Sequence, residues 1–84
     1  MQSPVDEARN LENNGGPNHL AAWRKAKGLS QKDLALMLGT TVTQLWFLEH
    51  GVRKLTAKWL RRISKVLDVP AGVLLDYRPD EYEV

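Results

Sequence analysis

The 84-residue sequence contains no cysteine, so disulfides and thiolate metal sites are excluded. The absence of disulfides agrees with a reducing compartment. The sequence also has no apolar run long enough to span a bilayer, and its first residues lack the apolar core of a signal peptide. We therefore expect a soluble, cytoplasmic protein without a membrane segment. A chain of this length can form one domain with one modest core.

Signatures of an enzyme are missing as well. Acidic residues are scattered, and the sequence has neither a nucleophile–histidine motif nor a glycine-rich phosphate loop. His19 and His50 are far apart in sequence, and neither has a second ligand at metal-binding spacing. A core this small leaves no room for a large ligand pocket. We therefore expect no catalysis, no cofactor, no metal and no small-molecule substrate.

Positive charge is concentrated in the middle of the chain, although the net charge is only +2. Residues 18–76 hold ten lysines and arginines against four acids, a net charge of +6, whereas residues 1–17 and 77–84 carry −2 each. A basic body between acidic ends favours a polyanionic partner, of which the phosphodiester backbone is the usual one. The alternative is an ordinary solvated surface.

The spacing of apolar residues predicts five short helices and no strands, so we expect a compact all-α bundle. The predicted helices cover about 19–27, 31 to a stop at 39, 41–50, 57–67 and 71–75. Their predicted N-terminal caps are Asn18, Ser30, Thr40 or Thr41, and Thr56. A run of asparagine, glycine and proline at 13–17 separates a flexible N-terminal arm, residues 1–17, from the domain at 18–76. Residues 77–84 form an acidic C-terminal tail.

Residues 31–51 form the pattern around which the domain is organised. Leu34, Ala35 and Leu38 share one face of the second helix, and Gly39 is suited to the left-handed conformation that ends it. The small side chain of Ala35 lets Leu45 of the next helix approach closely. Two short helices that cross steeply are therefore expected here.

Counted from Gln31, Ala35 is fifth, Gly39 ninth and Leu45 fifteenth, and this series resembles the helix-turn-helix of lambda-repressor/Cro-like (xenobiotic-response-element-like) DNA-binding domains. The flanking segments 27–31, 48–51 and 67–70 match that pattern too, so the resemblance covers about residues 18–76. It implies a compact five-helix lambda-repressor-like bundle that binds double-stranded DNA. Such domains act in transcription regulation, and one reading helix covers few base pairs, so a homodimer is expected.

The helix Thr41–His50 is the candidate reading helix, that is, the helix that enters the major groove. Leu45 and Leu48 define its inward face, so the opposite face is free. Its candidate base-reading residues are Val42, Thr43, Gln44, Trp46, Phe47 and His50. The resemblance implies base reading at four of them, Val42, Thr43, Trp46 and Phe47, with Gln44 close by. Three of those four are apolar, whereas typical family members have polar residues there. Contacts to thymine methyls or sugars, and sites that contain A·T pairs, are therefore expected.

Candidate phosphate contacts lie on either side of the reading helix. Gln31 opens the preceding helix, where free N–H groups and the helix dipole favour an anion, and Lys32 adds charge beside it. Arg53 and Lys54 follow the reading helix and match a backbone-binding loop of the family. The alternative for all four is an ordinary exposed polar residue. The resemblance also implies that Arg24 and Glu49 form a structural pair between the first helix and the reading helix.

Adjacent Trp46 and Phe47 on an outward face also suit a protein interface. A second hypothesis is therefore a protein-interaction module, such as an antitoxin or an accessory of polymerase or of another regulator. The first hypothesis is a DNA-binding regulator, with repression expected because a domain without an evident effector module acts most simply by occupying a promoter. Trp59, beside the core stripe of the fourth helix, is expected either at a dimer contact or packed within the chain.

Overall fold

The computed structural model describes residues 18–82 and shows an all-α domain. Its helices are α1 (Leu20–Ala26), α2 (Gln31–Leu38), α3 (Val42–Glu49), α4 (Ala57–Leu67), α5 (Ala71–Asp76) and α6 (Pro79–Tyr82). The first five correspond to the five predicted helices, so the predicted helical bundle is confirmed. The predicted arm, residues 1–17, lies outside the described residues. No helix among residues 18–82 is both long enough and apolar enough to cross a bilayer.

Hydroxyl caps fix the starts of α2, α3 and α4. The side chains of Ser30, Thr41 and Thr56 accept hydrogen bonds from the backbone N–H three residues later, at 3.0, 3.0 and 3.3 Å. Gly39 ends α2 in the left-handed region at φ 70°, as the sequence predicts. The turn between α2 and α3 is therefore short, because a stop and a cap lie only two residues apart.

The start of α1 and the end of α4 depend on Asn18 and Asp68. Asn18 Oδ1 accepts from Leu20 N–H at 2.9 Å, so its side chain caps the first turn, although regular helix begins only at Leu20. Asp68 ends α4 with φ 57°, a left-handed conformation that a short polar side chain tolerates better than most residues do. The Asp–Val–Pro segment thus stops α4 at the predicted place.

The core is built from leucines that the five longer helices contribute. α2 packs against α3, α4 packs against α2 and α5, and α1 packs against α5 and α6. Leu34, Leu45, Leu48 and Ile63 are completely buried, and Ala35 is nearly so. Burying side chains of this size contributes about 1.5–3 kcal/mol each, so this cluster holds α2 and α3 in their crossed arrangement.

The sequence pattern did not predict α6, which lies in the segment expected to be an irregular tail. This segment packs on Trp23, which is buried as predicted. Trp23 Nε1 donates to the carbonyl of Tyr77 at 2.8 Å, and the Tyr82 ring lies edge-on to the indole at 5.9 Å. Trp59 packs within the domain, against the core and under the Arg62 guanidinium at 4.8 Å. A buried indole N–H needs an acceptor, and the segment after α5 supplies it.

Candidate nucleic-acid interface

One face of α3 is anchored in the core, and the other faces solvent. Leu45 and Leu48 are fully buried on the inner side, as predicted. On the outer side Val42 and Trp46 are each 42% exposed, and Thr43 is exposed as well. A helix with one fixed face and one free face has the shape and diameter that the major groove accepts.

The six candidate reading residues are not equally free. Val42, Thr43, Trp46 and His50 are exposed, whereas Gln44 and Phe47 are half-buried. Gln44 lies at the edge of the outer face, where its backbone N–H is bonded to the Thr41 cap. The structure therefore places four of the six side chains on the open surface.

Aromatic rings form a contiguous cluster on the outer face of α3. The imidazole of His50 stacks on the indole of Trp46, with 3.9 Å between ring centroids and 17° between ring planes. Phe47 meets the same indole edge-on at 5.6 Å. His50 Nδ1 also lies 2.9 Å from the Trp46 carbonyl oxygen, a hydrogen-bond distance that restrains the imidazole. The Trp46 ring thus contacts two neighbouring rings, although Trp46 is 42% exposed.

The loop after α3 folds back onto Phe47. Backbone N–H groups of Val52 and Arg53 both donate to the Phe47 carbonyl, at 2.9 and 3.1 Å. The Arg53 guanidinium lies over the Phe47 ring at 5.7 Å. This fold-back explains why Phe47 is half-buried. It also brings Arg53 to the end of the candidate reading helix, and both Arg53 and the following Lys54 are exposed.

Arg24 and Glu49 meet in the interior and join α1 to α3. Arg24 Nε and Nη2 donate to the two Glu49 carboxylate oxygens at 2.6 and 3.2 Å, and the Arg24 and Glu49 side chains are only 9% and 1% exposed. Arg24 Nη1 also donates to the Leu29 carbonyl at 2.9 Å. A bidentate pair of this kind fixes both orientation and distance, so α1 and its following loop hold α3 in place.

Gln31 belongs to the same network through its side chain. Its Nε2 donates to Glu49 Oε1 at 3.0 Å, so the amide faces α3 instead of pointing freely into solvent. The sequence did not reveal this bond, because residues 18 positions apart were brought together only by the crossing of α2 and α3. Lys32, next along α2, is exposed.

A capping box occupies part of the N-terminus of α2. Ser30 N–H donates to the Asp33 carboxylate at 2.9 Å, while Asp33 N–H donates to the Ser30 hydroxyl. The Ser30 backbone N–H, followed by the Ser30 side chain, lowers the pKa of Asp33 below its usual value. Among the hydrogen bonds of the described residues, none is donated by the backbone N–H of Gln31 or Lys32. These two groups are the donors that remain for an anion at this end of α2.

Two further contacts hold the motif, and sequence reasoning missed both. Asn18 Nδ2 donates to the Leu48 carbonyl at 2.9 Å and so links the start of α1 to the end of α3. Arg62 of α4 donates to the Leu38 carbonyl at the end of α2. A cationic side chain at a helix C-terminus satisfies an unpaired carbonyl and opposes the helix dipole. No local sequence pattern indicated the partners of Asn18 and Arg62.

Residues 18–82 contain no group of three or more histidine and acidic side chains placed to hold a metal ion.

Among known families, a model described as helix-turn-helix matches residues 20–74, which is more than half of the chain. No curated protein matches the chain. Domains of the matching family bind DNA and act in transcription regulation. The matched range runs from the first residue of α1 into α5 and includes the crossed α2–α3 pair. On this match, the chain belongs to the lambda-repressor/Cro-like helix-turn-helix family of DNA-binding domains.

Proposed function

We propose that this domain is a sequence-specific transcription regulator that inserts α3 into the major groove and represses by occupying promoter DNA. The observation that carries the proposal is the two-sided environment of α3. Leu45 and Leu48 are fully buried behind it, while Val42, Thr43 and Trp46 are exposed in front. Base edges in the major groove are read by side chains placed on such a face.

Phosphate contacts are proposed on both sides of α3. At the start of α2, the proposed phosphate ligands are the backbone N–H groups of Gln31 and Lys32 and the exposed Lys32 side chain. In the loop after α3, Arg53 and Lys54 supply two cations. The side chain of Gln31 donates to Glu49 and so ties the proposed phosphate site at α2 to α3.

A homodimer is part of the proposal. One eight-residue reading helix spans only a few base pairs, and two-fold pairs of such domains read half-sites about one helical turn apart. The candidate pairing surface is formed by α4, α5 and the segment from Tyr77 to Tyr82, where both tyrosines are 46% exposed. Sedimentation of the protein with and without duplex tests this part. A mass of 9.5 kDa at every concentration without DNA, and a single protein chain on each duplex at saturation, would rule out the dimer.

The experiment that tests the proposal is the electrophoretic mobility of a random-sequence duplex at low and moderate salt. A DNA-binding domain retards it strongly at low salt and loses affinity steeply as salt rises, because bound phosphates release counterions. Thr43→Glu places a negative charge on the reading face and should abolish retardation. Leu36→Glu places the same charge at a position of α2 that is 71% exposed. This variant should bind duplex nearly as well as the parent protein does. Equal effects of both variants would contradict the proposed reading face.

The second hypothesis, a module that binds another protein first, is favoured by one observation. Leu36 and Met37 on α2 are 71% and 52% exposed, and Trp46 on α3 is 42% exposed, which is unusual for three large apolar side chains on one motif. A protein-first module would leave random duplex unshifted at any salt. The mobility experiment therefore separates the two hypotheses without knowledge of the operator.

A further inference from the structure

Val42 and Trp46 form a continuous apolar stripe on the outer face of α3. They are four residues apart, so their side chains are neighbours on the helix surface, at a Cβ separation of about 5–6 Å. Both side chains are 42% exposed. On a helix face that is proposed to enter the major groove, these two side chains would contact whatever apolar group the base edges offer.

Within the stripe, the Trp46 ring is fixed by contacts inside the domain itself. The Trp46 indole is stacked on His50 at 3.9 Å and meets Phe47 edge-on at 5.6 Å. His50 is in turn restrained by the 2.9 Å contact between its Nδ1 and the Trp46 carbonyl. A ring fixed in this way loses little conformational freedom when it makes a contact, so even a small apolar partner can be bound selectively.

Exposed cationic side chains on the segments before and after α3 indicate what kind of molecule offers that apolar group. Lys32 precedes α3 in the chain, Arg53 and Lys54 follow it, and all three are exposed, which favours a polyanionic partner. In the major groove of a duplex, the apolar group at the base edges is the C5-methyl of thymine. Cytosine exposes the same position without the methyl, unless it is methylated.

From this placement we infer that the Val42–Trp46 stripe reads the C5-methyl groups of pyrimidines in duplex DNA, and that His50 is a positioning residue for the Trp46 ring. The inference rests on the proposed function and adds the chemical group that is recognised. Burial of one methyl-sized group is equivalent to about a fourfold change in affinity. Each thymine methyl that touches the stripe should therefore strengthen binding about fourfold.

The test uses pools that differ only in methyl groups. A random duplex pool is enriched for binding to the parent protein and then amplified with either dTTP or dUTP, so that the same sequences carry thymine or uracil. Fluorescence anisotropy then gives the affinity for each pool. We expect the thymine pool to bind at least fourfold more tightly. The unselected pool made with dUTP and 5-methyl-dCTP should likewise bind more tightly than the pool made with dUTP and dCTP.

Variants assign the effect to the stripe. Trp46→Ala should remove the difference between thymine and uracil pools, whereas Leu36→Ala, at an exposed apolar position of α2, should preserve it. His50→Ala should reduce the difference, and His50→Phe, which keeps a flat ring for stacking, should restore it. Far-ultraviolet circular dichroism checks that all four variants are folded.

Each outcome bears on one statement. If the parent protein retards no duplex at low salt, the proposed function fails together with the inference. If thymine and uracil pools bind equally while binding remains salt-dependent, the methyl-reading inference fails and the proposed function stands. If His50→Ala retains the full difference between pools, the positioning role of His50 is wrong.

Discussion

Removal of the Glu49 carboxylate should strongly destabilise the domain, because it would leave the buried Arg24 guanidinium and the half-buried Gln31 amide without their acceptor. Arg24 donates to both oxygens of Glu49, and Gln31 donates to one of them. In Glu49→Ala the guanidinium, whose side chain is only 9% exposed, would keep its bond to Leu29 but lose its countercharge. The site is too enclosed for bulk water to replace the carboxylate fully.

The expected loss is about 3–5 kcal/mol, the cost of removing one partner from a buried ion pair. Domains of this size are stable by only about 5–15 kcal/mol, and 1 kcal/mol shifts the melting temperature by about 4–8 °C. Glu49→Ala should therefore lower Tm by about 12 °C or more. Glu49→Gln keeps one of the two acceptor oxygens in a side chain of the same shape and should lose less. Because Glu49 is on α3, DNA affinity should fall as well, even at temperatures where the variant is folded.

Thermal unfolding followed by circular dichroism measures the effect, and the chain contains a matched control. Arg78 and Glu81 form an ion pair at 3.4 Å whose side chains are 56% and 48% exposed. Glu81→Ala should cost less than about 1 kcal/mol, since water replaces an exposed partner easily. If Glu49→Ala melts within a few degrees of Glu81→Ala and still binds duplex, the argument that this pair holds α3 is refuted.

Three further predictions concern the turn, the cap and the phosphate contacts. Gly39→Ala should cost about 1–2 kcal/mol in chemical denaturation, because φ is 70° at this position; Gly28→Ala, at φ 73°, is a second left-handed site for comparison. Because the pKa of Asp33 is lowered in the folded state, its carboxylate stabilises the fold at pH values above the unfolded pKa of 3.8. This stabilisation is lost as pH falls through the folded pKa. Asp33→Asn should therefore show a weaker fall of Tm between about pH 6 and about pH 3 than the parent does. A Tm profile identical to that of the parent would contradict the Asp33 assignment. Arg53→Gln with Lys54→Gln should weaken binding to all sequences and reduce the slope of log affinity against log salt by about 2, whereas an unchanged slope would exclude both as phosphate contacts.

Local patterns in the sequence were sufficient for most of the fold. Ser30, Thr41 and Thr56 cap the helices they precede, and Gly39 ends α2, because each effect depends on residues within one turn. α6 was missed for the same physical reason. Its four residues carry no apolar periodicity, and it packs on Trp23, more than fifty positions earlier. A contact of that sequence separation leaves no trace in the local spacing of residues.

The candidate site shows the same division between local and distant effects. The inward direction of Leu45 and Leu48 predicted which residues of α3 face out, since helix geometry alone decides it. The side-chain partners were not predictable from spacing. Gln31 donates to Glu49, and Arg53 lies over the Phe47 ring. Each contact depends on how separate segments of the chain meet in space.

The short lengths of the helices have a consequence for how this domain unfolds. Within residues 18–82 the longest helix has 11 residues, and isolated helices shorter than about 12–15 residues are marginal in water. Each helix therefore persists only while its neighbours cover it, and the bond from Trp23 to Tyr77 joins the two ends of residues 18–82 in the same way. The domain should consequently lose its structure in a single cooperative step, with no stable subset of helices left behind.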